Sequence, residues 1–331
     1  MERTGRTRRV GITTTVPLEP FFSAGATPID LNNRFMASED PVRMIEESQV
    51  KGYPRNICTW IRGLYTAALD MDGVVGVVRG DCSNTESLLS TLSIVGIPVH
   101  PFSYPPERSR DDIEREISSL CEFLRTDPES AEGMADTVNG CRSLALEVDE
   151  LRWKEMRVKA EEAHSVLLST SDLKGDPEAW KAMVDGIIDA SRNREGEKEG
   201  PRLGYVGVPP IMTDLFPTVE RAGGNVVYFE VQRQFAMPEG GDWMDRYLEY
   251  TYPYSIENRL RDIREQIQKR SLDGLVHYVQ SFCHRQIDDI IFREGLDIPI
   301  LTLEGNLPGK VDSRTRIRLE AFLDVLGGEA L

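Results

Sequence analysis

The chain has 331 residues, 40% hydrophobic and 28% charged, with a net charge of −16. That length allows two domains, each burying its own core, and the acidic balance excludes a nucleic-acid surface, which needs a concentrated basic face. No apolar run approaches the ~20 residues of a membrane-spanning helix, so the sequence predicts no membrane association and, by default, a cytoplasmic protein.

In chain order, the basic residues Arg3, Arg6, Arg8 and Arg9 read as a solvated tail. Residues 10–15 then read as a strand, 17–24 as a helix and 27–31 as a strand. A helix is predicted over 58–69, a strand over 74–79, a helix over 85–94 and a strand over 99–102, giving a first α/β domain over residues 1–107. Residues 108–200 carry helical patterns, including DDIEREISSLCEFLR and DPEAWKAMVDGIIDASR, and end in the polar linker NREGEKEG. They read as a bridging helical segment. A second α/β domain, 201–331, follows with strands at 203–208, 225–229, 275–280 and 300–303. Its helices are predicted at 214–222, 256–270, 287–294 and 314–326. Short strands rich in Val and Ile, alternating with helices, are the pattern of parallel strands covered on both faces. The fold class predicted is α/β, with two similar Rossmann- or flavodoxin-like parallel-sheet domains facing a central cleft.

The two halves repeat each other. DGVVGVVRGDC ends at Cys82 and DGLVHYVQSFC ends at Cys283, and Pro98 and Pro299 follow these cysteines at one common spacing. YPRNICTWIR and YPYSIENRLR match upstream, as do the Val-Pro turns VPLEP and VPPIM. Agreement in the same order along the chain points to duplication.

Five widely spaced cysteines do not form a secreted disulfide framework. Cys82 and Cys283 each follow a predicted parallel strand, at the edge where open α/β sheets bind ligands. Cys58 opens a predicted helix, whose N–H groups and dipole favour a thiolate. Three thiolates suit a soft iron–sulfur site with one position left to another ligand. Zinc competes, although no Cys-x-x-Cys pair is present. Cys121 and Cys141 sit on apolar helix faces and read as structural.

The segments VPLEPFFSAGATPIDL, NICTWIRG, VVRGDCSNTESLL and QSFCHRQIDD…LDIPILTLEGNLPGKVDSRTRIRLEAFLDVL resemble the 2-hydroxyacyl-CoA dehydratase family, near its D-component. The superfamily includes benzoyl-CoA reductase subunits. The resemblance implies a [4Fe-4S] cluster on Cys58, Cys82 and Cys283, with a non-cysteine ligand on the fourth iron. It further implies a second homologous subunit or a dimer of the chain with itself, a separate ATP-dependent activator iron–sulfur protein, and an acyl-CoA substrate. The implied chemistry is an anaerobic, one-electron dehydration through a ketyl radical of the thioester. Ser83 and the run Glu304-Gly305-Asn306 depart from the aspartates that members often carry there.

Glu19 follows the first strand and is an acid/base candidate, or a carboxylate placed by the helix dipole. Thr13, Thr14 and Thr15 leave that strand and reach toward a substrate carbonyl, or serve as ordinary strand threonines. His284, beside Cys283, is a proton donor or a hydrogen-bonding neighbour of the ligand. No dinucleotide fingerprint is present. The alternative function is an iron–sulfur electron-transfer protein or small-molecule reductase that uses no CoA substrate. A cluster-free structural subunit is the third reading.

Overall fold

The computed structural model describes residues 7–196 and 200–328. Arg3 and Arg6 of the basic tail, and residues 197–199 of the polar linker, lie outside the described residues. The chain divides into two compact units. Unit 1 comprises residues 1–143, 169–182 and 237–255, and unit 2 comprises residues 144–168, 183–236 and 256–331.

Unit 1 holds a four-stranded parallel sheet of β1 (Arg9–Ile12), β2 (Thr27–Asp30), β3 (Gly73–Arg79) and β4 (Val99–Ser103), in the order β2-β1-β3-β4. Unit 2 repeats it with β5 (Arg202–Gly207), β6 (Asn225–Phe229), β7 (Gly274–Gln280) and β8 (Ile300–Gly305), in the order β6-β5-β7-β8. The two α/β sheets with one strand order bear out the predicted α/β class of two similar parallel-sheet domains and the sequence repeat. The central strands explain why they form: GVVGV of β3 and all of β7 are buried, as strands covered by helices on both faces must be.

The Asp-Gly motif that opens each repeat has a structural task. The Asp72 carboxylate accepts the Arg9 N–H at 2.8 Å, and the Asp273 carboxylate accepts the Arg202 N–H at 2.7 Å. Asp72 N–H donates to Arg9 O and Asp273 N–H to Arg202 O, both at 2.8 Å. The aspartate thus ties the central strand to the start of its neighbour. Pro98 and Pro299 also match: their carbonyls accept Val74 N–H at 2.8 Å and Leu275 N–H at 2.9 Å.

Edge strands need their backbone covered. In unit 2, Arg152 Nε donates to Val226 O at 2.8 Å and Arg270 Nη1 to Val227 O at 2.7 Å, closing the open side of β6. In unit 1, the buried Asp172 carboxylate accepts the Asp30 N–H at 2.8 Å at the end of β2. The segment 108–200 is helical as expected, its long helices being Arg110–Leu124, Ala135–Glu150, Ala160–Ser169 and Pro177–Arg192.

Candidate functional site

An open sheet with strand order 2-1-3-4 reverses direction between its first and third strands, and ligands bind at the carboxyl ends there. In unit 1 that point lies between the ends of β1 and β3, and in unit 2 between β5 and β7. Cys82 leaves the end of β3 and Cys283 leaves the end of β7, so the repeat puts one half-buried cysteine at each point.

The local backbone is specialised at both. Gly80, two residues before Cys82, has φ +103°, and a Cβ there would lie 2.7 Å from Pro253 Cβ. Only glycine combines that conformation with so close an approach. Cys82 Sγ then accepts the Asn84 N–H at 3.4 Å, an interaction that favours the thiolate over the thiol. Asp81, between them, accepts from the Tyr252 hydroxyl at 3.2 Å. Before Cys283, the Cys283 N–H closes a turn onto Gln280 O at 3.0 Å, and Phe282 within it has φ +65°. Cys283 precedes the short 3-10 helix His284–Ile287, and His284 is exposed.

Cys58 is buried and caps the helix Thr59–Ala68 of unit 1. Arg62, one turn on, folds back and donates from Nη2 to Thr59 Oγ1 at 2.7 Å. It is 3% exposed. Burial lowers its pKa and the charge of Cys58 raises it. Cys121 and Cys141 are buried in helices, and burial pushes each thiol up to about 11. Such thiols stay protonated.

Glu19 is fully buried at the first position of the helix Glu19–Ser23. Its Oε1 accepts from Arg142 Nη1 at 3.2 Å and its Oε2 from the Tyr247 hydroxyl at 2.6 Å. Arg142 Nη2 also donates to that hydroxyl. Of the threonines, Thr13 is spent on the sheet, its Oγ1 accepting Val77 N–H at 3.1 Å. Thr15 O accepts from the Tyr104 hydroxyl at 2.9 Å, while the buried Thr15 Oγ1 has no partner among the described residues.

Two features escaped the sequence. One is Arg62, although its place four residues after Cys58 put both on one helix face. The other is His277 on β7, whose Nδ1 lies 2.7 Å from Asp289 Oδ1. Asp289 is lowered to about 2 by hydrogen bonds from Thr302, His277 and Arg293, against the opposing effect of burial. A small pocket in unit 2 is lined by His277, Gly207, Arg259, Gln280 and Cys283.

Fold and strand-end cysteines together define an α/β protein of two duplicated parallel sheets, each carrying a thiol at its switch point. The family model 2-hydroxyglutaryl-CoA dehydratase, D-component, matches residues 13–326, and the chain belongs to that family. It is therefore a dehydratase-type enzyme component. The family is known for an iron–sulfur cofactor and for enzymes with partner subunits. Among curated proteins none matches the chain. No helix among the described residues is long and apolar enough to cross a membrane.

No group of three or more His, Cys, Asp and Glu side chains is assembled as a metal site among the described residues. The donor set nonetheless has the right chemistry for an iron–sulfur group. Cys82 receives an N–H bond at its sulfur, Cys58 sits at a helix N-terminus beside a buried cation, and Cys283 ends a strained turn at a strand exit.

Proposed function

We propose that the chain is the [4Fe-4S] subunit of a 2-hydroxyacyl-CoA dehydratase-like enzyme, with Cys58, Cys82 and Cys283 as its thiolate ligands. The observation that carries the reading is the pair of cysteines at the ends of β3 and β7, one at each switch point. When bound, the group supplies the low-potential electron that ketyl-radical chemistry on a thioester requires. The residues of the chain do the rest. The Asn84 N–H at Cys82, and the helix N-terminus with Arg62 one turn on at Cys58, favour negative charge there. The exposed His284, next to Cys283, exchanges a proton with solvent. Glu19 is locked by Arg142 and Tyr247 and acts as a positioning residue for the exit of β1, not as a mobile base. The partners proposed are a second homologous subunit or a second copy, an ATP-dependent activator, and an acyl-CoA substrate.

Anaerobic iron and sulfide analysis with EPR tests this. The parent is expected to carry about four irons, as one cubane requires. Cys58→Ala, Cys82→Ala and Cys283→Ala should each lose most of them, while Cys121→Ala and Cys141→Ala retain them. Full iron content in any of the first three removes that residue from the ligand set. The net charge of −16 favours one second reading, an iron–sulfur reductase without CoA. A 2-hydroxyacyl-CoA that binds the anaerobic protein rejects it.

A further inference from the structure

Six arginines are buried among the described residues: Arg62, Arg142, Arg152, Arg233, Arg259 and Arg270. Five of them face carboxylates. Arg142 meets Glu19 at 3.2 Å and Arg152 meets Glu220 at 3.5 Å. Arg233 meets Asp262 at 3.0 Å, Arg259 meets Glu230 at 2.6 Å, and Arg270 meets Asp149 at 2.6 Å. Arg62 alone has no carboxylate among the described residues. Its one hydrogen bond goes to the neutral Thr59 hydroxyl, and its Nε is buried with no partner.

A buried charge without a counter-ion is strongly unfavourable. Here the surroundings make matters worse. The guanidinium folds toward the N-terminus of the helix Thr59–Ala68, where the dipole is already positive and a cation is disfavoured. Cys58 stands one helical turn before it, at the N-cap of the same helix. The fold elsewhere answers every buried arginine with a carboxylate, and at this one none is supplied among the described residues.

We infer that Arg62 is the counter-charge for an anionic group bound through Cys58, and that this group is the iron–sulfur cluster. The inference rests on the function proposed above for the identity of the anion, though not for the missing charge. A cluster ligated by thiolates carries net negative charge, and one further electron makes it more negative. A fixed cation beside it therefore strengthens its retention and favours its reduced form. Arg62 needs no contact with substrate to do this; it is a positioning residue.

The test uses the full chain, metal-free and after anaerobic loading with ferrous iron and sulfide, as parent, Arg62→Met and Arg62→Lys. In the metal-free state Arg62→Met should melt above the parent, because it removes an uncompensated charge, while Arg62→Lys should melt near the parent. In the loaded state the order reverses. Arg62→Met should release iron to a ferrous chelator several-fold faster and take up its electron at a more negative potential, and Arg62→Lys should restore both. A metal-free Arg62→Met that melts at or below the parent overturns the inference. So does a loaded Arg62→Met with the parent's release rate and potential. If the parent takes up no iron, the cluster reading falls and with it the identity of the anion, while the melting comparison still judges the missing charge.

Discussion

Phe282 combines two unfavourable properties in one position. It is 51% exposed, and its φ of +65° lies in the left-handed region that L-residues avoid. The turn Gln280–Cys283 places it third, a position that glycine fills most easily. Phe282→Gly should therefore raise the unfolding free energy by about 1 kcal/mol, the size of the left-handed penalty, in urea denaturation of the metal-free chain. An unchanged or lower midpoint would mean that contacts of the ring hold the turn. The strained residue stands directly before Cys283, where sequence reading saw only the cysteine. The cysteines themselves were legible because residue type and repeat position mark them. The partners of Glu19 were not, because Arg142 is 123 residues away and Tyr247 is 228. No local pattern encodes such a pairing.

Among the elements, the aspartate opening each repeat is the clearest test of the duplication. Asp72→Ala and Asp273→Ala each remove one acceptor from a strand-start N–H. Each should cost about 1 kcal/mol, the net value of such a bond. The two losses should be similar, as read from urea midpoints. The strands were readable because they are continuous apolar runs, and the helix Thr85–Ile94 falls where the pattern placed it. The first strand ends earlier than predicted, at Ile12, because β2 stops at Asp30 and, after Thr13 N–H has bonded Val75 O, the next β3 amide, Val77 N–H, turns to the Thr13 side chain. Four helices outside 108–200 were missed, Leu31–Met36, Pro41–Val50, Glu230–Phe235 and Trp243–Glu249, two of them despite visible signals. Pro41–Val50 has Asp40 as its cap and proline at its first position, and Trp243–Glu249 has a capping box of Asp242 and Asp245. Their apolar faces are short, so periodicity alone passed over them.

Across the whole molecule, two buried groups pull stability in opposite directions with pH. His164 packs against Phe216 and Phe229, and burial lowers its pKa to about 3. The unfolded chain takes up that proton near 6.5 and the folded chain does not, so stability is lost as pH falls from 6.5 toward 3. Asp172 is raised to about 7, by burial first and then by Asp30. The folded chain holds that proton where the unfolded chain has released it, so its contribution is present below about 4 and lost as pH rises through 7. Each group contributes a slope of about 1.4 kcal/mol per pH unit where only one state is protonated, and over the shared window the slopes cancel. Relative to the parent, His164→Phe should gain stability as pH drops from 6.5 to 4.5, and Asp172→Asn should lose it. Urea midpoints at the two pH values check both; parallel shifts in the two variants would reject the assignment.

Unit 1 is assembled from three separate stretches, the last of which ends at residue 255. That stretch brings the Tyr247 hydroxyl to Glu19, the Tyr252 hydroxyl to Asp81 and Pro253 against Gly80. As the protein emerges from the ribosome, the first sheet and its Glu19–Arg142 pair are translated early, yet the hydroxyl that completes that pair and the proline packed on the turn before Cys82 are made much later. A fragment cut at the sequence repeat would leave that half without its closing piece. The boundary of the sequence repeat is not the boundary of the compact unit.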